Sequence, residues 1–165
     1  MDCAGLGECP AIPEFPESFR YDLFTSTNAS GRKPKRFGRL AHNAQYQTEI
    51  RGISFRFSGT VMVDGYALWV SFELFTDGVL NIYSGTEWDF GTGAIDDLCV
   101  IYASLPHDIG CHLTNYGWIE WKYRAVFDAL YRRALSFYGC PWYRQAWHWL
   151  AVRSNSKFNA YWRKP

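Results

Sequence analysis

The adjacent residues His107 and Asp108 are the pair in this sequence best suited to chemistry, an imidazole that titrates near neutral pH beside a carboxylate. Neighbouring side chains on a helix diverge by about 100°, so the two must do different jobs. Asp108 would turn toward a metal while His107 turns toward substrate. An imidazole used in this way needs a second carboxylate to fix its tautomer and stabilise the imidazolium. Asp128 is the best candidate, because it stands beside the apolar stripe of Val126, Phe127, Leu130 and Tyr131 in an otherwise basic segment. The competing reading pairs Asp128 with Arg124 or Arg132 at helical spacing on a wet surface.

Upstream lies a glycine-punctuated acidic stretch, from Thr86 through Glu87, Trp88, Asp89 and Phe90 to Gly91, Thr92, Gly93, Asp96 and Asp97. Gly91 and Gly93 allow a tight turn that exposes backbone carbonyls, which calcium accepts beside carboxylates. The stretch is neither a twelve-residue EF-hand loop nor a phosphate-binding P-loop, and alone it reads as a turn. Asp89, Asp96, Asp97 and Asp108 favour oxygen coordination if an ion is held. His107 and His112 are five residues apart and poorly placed to share a metal, and HExxH does not occur, so zinc is the weaker reading. Cys111, four residues after His107, would face the same side of a helix; a small buried side chain is favoured there over a thiolate nucleophile.

The elements that must position these groups follow from hydrophobic period. Ile53, Phe55 and Phe57, then Tyr66, Leu68, Val70, Phe72 and Leu74, recur at period two, with turns at Val63, Asp64 and Gly65 and at Thr76, Asp77 and Gly78. After Ser84 the spacing becomes helical. Leu98, Ile101, Tyr102, Leu105 and Ile109 define a first helix near 97–113, which Pro106 is expected to kink or restart. Ile119, Tyr123, Val126, Phe127, Leu130 and Ala134 define a second over 118–138, ended by Gly139, and Pro141 opens a third over 141–153. The fold class is therefore α+β, an N-terminal antiparallel β-meander followed by a three-helix C-terminal region. Residues 1–45 read as an arm with a basic loop. Residues 46–165 read as one domain, with the sheet over 46–83, the acidic loop over 84–97 and the helices over 97–153.

At 165 residues the chain has the length of one domain. No apolar run is long enough to span a bilayer, and no secretory signal is evident, so the expectation is a soluble protein of a host cytoplasm or a virion. The five cysteines are odd in number and scattered, which reads as reduced thiols. Residues 1–119 carry 8 basic and 14 acidic side chains, whereas 120–165 carry 9 and 2. Such a split either steers an anionic lipid surface or nucleic acid to the C-terminal helices, or simply keeps the surface wet. Trp142, Trp147 and Trp149 lie within one predicted helix and suit an interface as well as a core.

Over about residues 84–153 the chain resembles the phage and bacterial family known as domain of unknown function 1353. The resemblance rests on Trp88-Asp89 with Thr92-Gly93-Ala94, on Ala103 through Asp108, on Phe127-Asp128, and on Ala151-Val152-Arg153. It implies a phage or prophage setting and no particular activity. The outline is also similar to the phospholipase A2 arrangement. That likeness implies a calcium loop from the backbone of Phe90 to Gly93, Asp108 as calcium carboxylate, His107 as the base that activates water and Asp128 as its orienter. Two functions stand open. One is calcium-assisted hydrolysis of an ester; the other is a non-enzymatic virion, assembly or host-interaction protein in which the pair braces helices.

Overall fold

Alternation of apolar and polar residues builds the central hairpin. In a computed structural model that describes residues 14–17, 19–26, 34–90 and 97–162, with side chains of the last helix described to residue 154, β4 (Phe55–Val63) pairs antiparallel with β5 (Tyr66–Leu74). The two-residue turn between them needs positive φ at both positions, and Asp64 and Gly65 supply it at 51° and 83°. The β5 residues Tyr66, Leu68, Val70, Phe72 and Leu74 all face the core. β6 (Val79–Ile82) returns along β5, and β3 (Ala44–Gln47) closes a four-stranded sheet of order β3-β6-β5-β4. The expected meander over 46–83 is therefore present, extended by one strand.

A second sheet, of order β1-β2-β7, joins β1 (Tyr21–Ser26), β2 (Lys35–Leu40) and the two-residue β7 (Glu87–Trp88). Part of the region expected to be an arm thus folds onto the body: Phe15, Phe19, Phe37 and Leu40 are buried in the common core. β7 also ties the sheets together, since the Trp69 amide donates to Glu87 Oε2 at 2.9 Å and the Ser71 amide to Thr86 Oγ1 at 3.1 Å.

Three helices follow: α1 (Leu98–Asn115), α2 (Arg124–Phe137) and α3 (Trp142–Trp162), with a short 3-10 turn at Trp121–Tyr123 before α2. Pro106 does not break α1, which runs through it as one helix. The local penalty of about 3 kcal/mol is outweighed by burial of Leu105, His107 and Ile109 around it. α1 is buried on most sides, and it crosses α2 closely because Gly110 offers no side chain where Phe127 packs. Trp118, just past the end of α1, stacks on Phe57 and Phe55 with ring centroids 4.3 and 5.2 Å away, fixing that end on β4. Gly139 (φ 75°) ends α2 as expected, and the Cys140 amide donates back to the Leu135 carbonyl at 2.9 Å.

Candidate functional site

The close α1–α2 crossing brings two side chains 21 residues apart into contact. His107 on α1 and Asp128 on α2 are both buried, and His107 Nε2 lies 3.2 Å from Asp128 Oδ1. A carboxylate only accepts, so Nε2 carries the hydrogen and Nδ1 is turned the other way. Nδ1 faces Asp108 Oδ1 at 3.7 Å and Cys111 Sγ at 3.6 Å, both partly buried. Tyr131, one turn after Asp128, lays its ring 5.0 Å from the imidazole and covers it.

Asp128 serves more than the histidine. Arg124 Nε donates to Oδ1 at 3.2 Å within α2, and Arg153 Nη1 reaches Oδ2 at 3.3 Å from α3. The carboxylate is thus a junction of all three helices. The contact between Asp128 and Arg124 expected of a wet surface forms, but it is buried and coexists with the imidazole contact. Arg132 instead lies over the Trp149 ring, 5.2 Å from its centroid.

Electrostatics at the cluster follow from burial and these neighbours. Burial alone would lower the pKa of His107, but Cys111, Asp108 and Asp128 together raise it well above the usual imidazole value. Asp108 is pushed up to about 6, first by burial, with Asp89 adding repulsion and His107 and Arg124 opposing. Burial and the phenolate's repulsion from Asp108 likewise raise Tyr131. His112 is lowered to about 4 by burial and then by the charge of Arg124.

The upstream stretch is held against α1 by Trp88, whose Nε1 donates to Ser104 Oγ at 3.1 Å, one turn before His107. Asp89 forms an ion pair with Lys35. The Phe90 side chain is buried against Trp88 and Tyr21, with centroids 5.5 and 5.9 Å away. Gly91, Gly93 and Asp96 lie outside the described residues, as do Cys3 and Cys9. Calcium takes about six to eight oxygen ligands. The donors gathered at His107 are instead an imidazole, one carboxylate and a thiol, which together form a metal-capable group. The described donors do not make a calcium site by themselves.

Sequence reasoning brought His107, Asp108 and Asp128 together, and the structure does so too. It passed over Tyr131 as a cover, Arg153 as the second cation on Asp128, and Cys111 as a third member of the cluster. The spacing of Cys111 from His107 carried that signal; the contact of Arg153 depends on how α3 returns, which spacing does not encode. His42 is exposed, and half-buried His148 meets the Tyr131 ring edge-on at 6.4 Å. Among the described residues, no helix is long and apolar enough to cross a membrane. The chain matches no family model, no curated protein and no solved structure.

Proposed function

We propose that this chain is a metal-assisted hydrolase in which water is activated at Nδ1 of His107 in its neutral form, on the alkaline side of the ring's raised pKa. The observation that carries this reading is the buried contact between His107 Nε2 and Asp128 Oδ1, because it gives Nε2 the hydrogen and leaves Nδ1 as the nitrogen to accept a proton. Nδ1 faces the part of the cluster that reaches solvent, beside Asp108 and Cys111. Nδ1 would take one proton from a water there as it adds to an ester carbonyl, and would return that proton to the leaving alkoxide as the carbon–oxygen bond breaks; the acid product would release the water's other proton to solvent. The favoured substrate class is an ester at an anionic lipid surface. Its support is the basic C-terminal region together with Trp142 and Trp147, which are 79% and 71% exposed on α3. The test is ester hydrolysis on anionic mixed micelles by the parent, His107→Ala and Asp128→Asn. Loss of turnover in both variants at unchanged fold supports the reading.

The second reading is a non-enzymatic phage-type virion, assembly or host-interaction component. One observation favours it: Asp128 collects Arg124, Arg153 and His107, a brace across α1, α2 and α3. Under that reading the parent shows no turnover, and the substitutions lower only the melting temperature.

A further inference from the structure

We infer that His107, Asp108 and Cys111 form a binding site for a zinc-class transition-metal ion, with Asp128 positioning the histidine from behind. The inference goes beyond the proposed hydrolase and changes one of its parts: with His107 Nδ1 as a ligand, water would be activated on the ion and not by the ring nitrogen. Three observations carry it independently of that activity.

The first is distance. Zinc bonds to nitrogen and oxygen at about 2.0–2.2 Å and to sulfur at about 2.3 Å, so tetrahedral donors stand about 3.3–3.6 Å apart. His107 Nδ1 lies 3.7 Å from Asp108 Oδ1, and Cys111 Sγ stands beside the ring at 3.6 Å from Nδ1 and 4.0 Å from Nε2; one donor atom from each of the three residues lies within 4.8 Å of the others. Tetrahedral spacing is reached when the Asp108 and Cys111 side chains turn toward the Nδ1 axis. The second is donor type. One imidazole, one carboxylate and one thiol are borderline to soft in sum, which selects zinc, cobalt or nickel over calcium. The third is the back of the ring. A metal-bound histidine commonly donates its other nitrogen's hydrogen to a carboxylate, and Asp128 receives it here at 3.2 Å, itself anchored by Arg124 and Arg153. All three donors come from one helix, His107 and Asp108 adjacent and Cys111 one turn on. Three protein ligands leave a fourth position for water, the composition of a catalytic zinc site and not of a closed structural one.

The test is a cobalt(II) titration of the full chain, stripped with chelator and kept reduced, followed by absorbance. The parent should bind one equivalent with a sulfur-to-cobalt charge-transfer band and the visible bands of a tetrahedral ion, and zinc should displace it. Cys111→Ser should lose the charge-transfer band and at least tenfold in affinity while circular dichroism stays unchanged. Asp128→Asn should keep the band but weaken binding by about 10–100-fold. Absence of the band in the parent overturns the inference. So does its persistence in Cys111→Ser, which would place the ion on other cysteines, or displacement of cobalt by excess calcium. The site and the hydrolase fail separately: zinc bound in this way without turnover on any ester leaves the site and removes the hydrolase. Turnover in chelated protein that Cys111→Ser does not change does the reverse.

Discussion

Gly110 sits where α1 and α2 cross, and replacing it with alanine tests whether that crossing creates the site. In an isolated helix the change would be favourable by about 1 kcal/mol, because alanine loses less backbone entropy than glycine. Here an added Cβ would stand 2.0 Å from Phe127 Cγ and 2.3 and 2.5 Å from the two adjoining ring carbons. Phe127 is fully buried and has no room to swing aside. Reaching an ordinary carbon–carbon contact of about 3.5 Å therefore requires the helices to part by roughly 1.5 Å. Overpacking of this kind costs about 1–3 kcal/mol or more, which outweighs the propensity gain. The same parting would stretch the 3.2 Å contact from His107 to Asp128 beyond hydrogen-bonding range. Gly110→Ala should thus be destabilised by about 2 kcal/mol in urea unfolding and lose turnover and cobalt affinity together. Phe127→Leu combined with Gly110→Ala should recover part of both. A single variant as stable as the parent, with full activity, would refute the close-crossing argument.

In chelated protein two buried groups should shape stability between pH 6.5 and 4 with opposite sign. His112 has a folded pKa lowered to about 4, so its contribution is complete above the unfolded value of 6.5 and is lost as pH falls, by at most about 3 kcal/mol. Asp108 is raised to about 6, so its burial penalty is present at neutral pH and is relieved as pH falls toward the ordinary carboxylate value of 3.8, by a similar amount. Relative to the parent, His112→Gln should therefore become more stable on acidification and Asp108→Asn less stable; urea midpoints that shift together relative to the parent would contradict both assignments. Asp128→Ala, which strands buried Arg124, should cost about 3–5 kcal/mol, whereas Arg153→Met, at a side chain one-third exposed, should cost about 1–2; equal losses in urea unfolding would argue against the junction. Cys99 and Cys140 bring their sulfurs to 2.6 Å in the core, so oxidant should join them and remove two thiols from a denatured-state thiol count, a loss that Cys140→Ala should prevent.

What was legible in the sequence is what period and local chemistry encode. Alternation from Tyr66 to Leu74 with a turn at Asp64 and Gly65 defines a hairpin because side-chain direction and positive φ are local properties. The position of Asp128 beside the apolar stripe of α2 likewise pointed it inward. Tertiary pairing decided the rest. β7 is two residues long and exists only because β2, 48 residues earlier, presents a strand to it, as the bond from Arg39 to Glu87 records. Pro106 reads as a helix breaker until the burial around it is known. Arg153 reaches Asp128 only once α3 has folded back. Cys111 was visible at four residues from His107, but spacing alone does not separate a sulfur that meets the imidazole from one that only fills space.

The most direct test of the account follows the His107 ring itself, by long-range proton–nitrogen NMR on protein with labelled histidine. In metal-free protein near neutral pH both ring nitrogens should be protonated, held so by Cys111, Asp108 and Asp128. One equivalent of zinc should remove the proton from Nδ1 and leave Nε2 protonated, facing Asp128. A ring that keeps both protons with zinc present, or that surrenders the Nε2 proton instead, would contradict the assignment of Nδ1 as the working nitrogen.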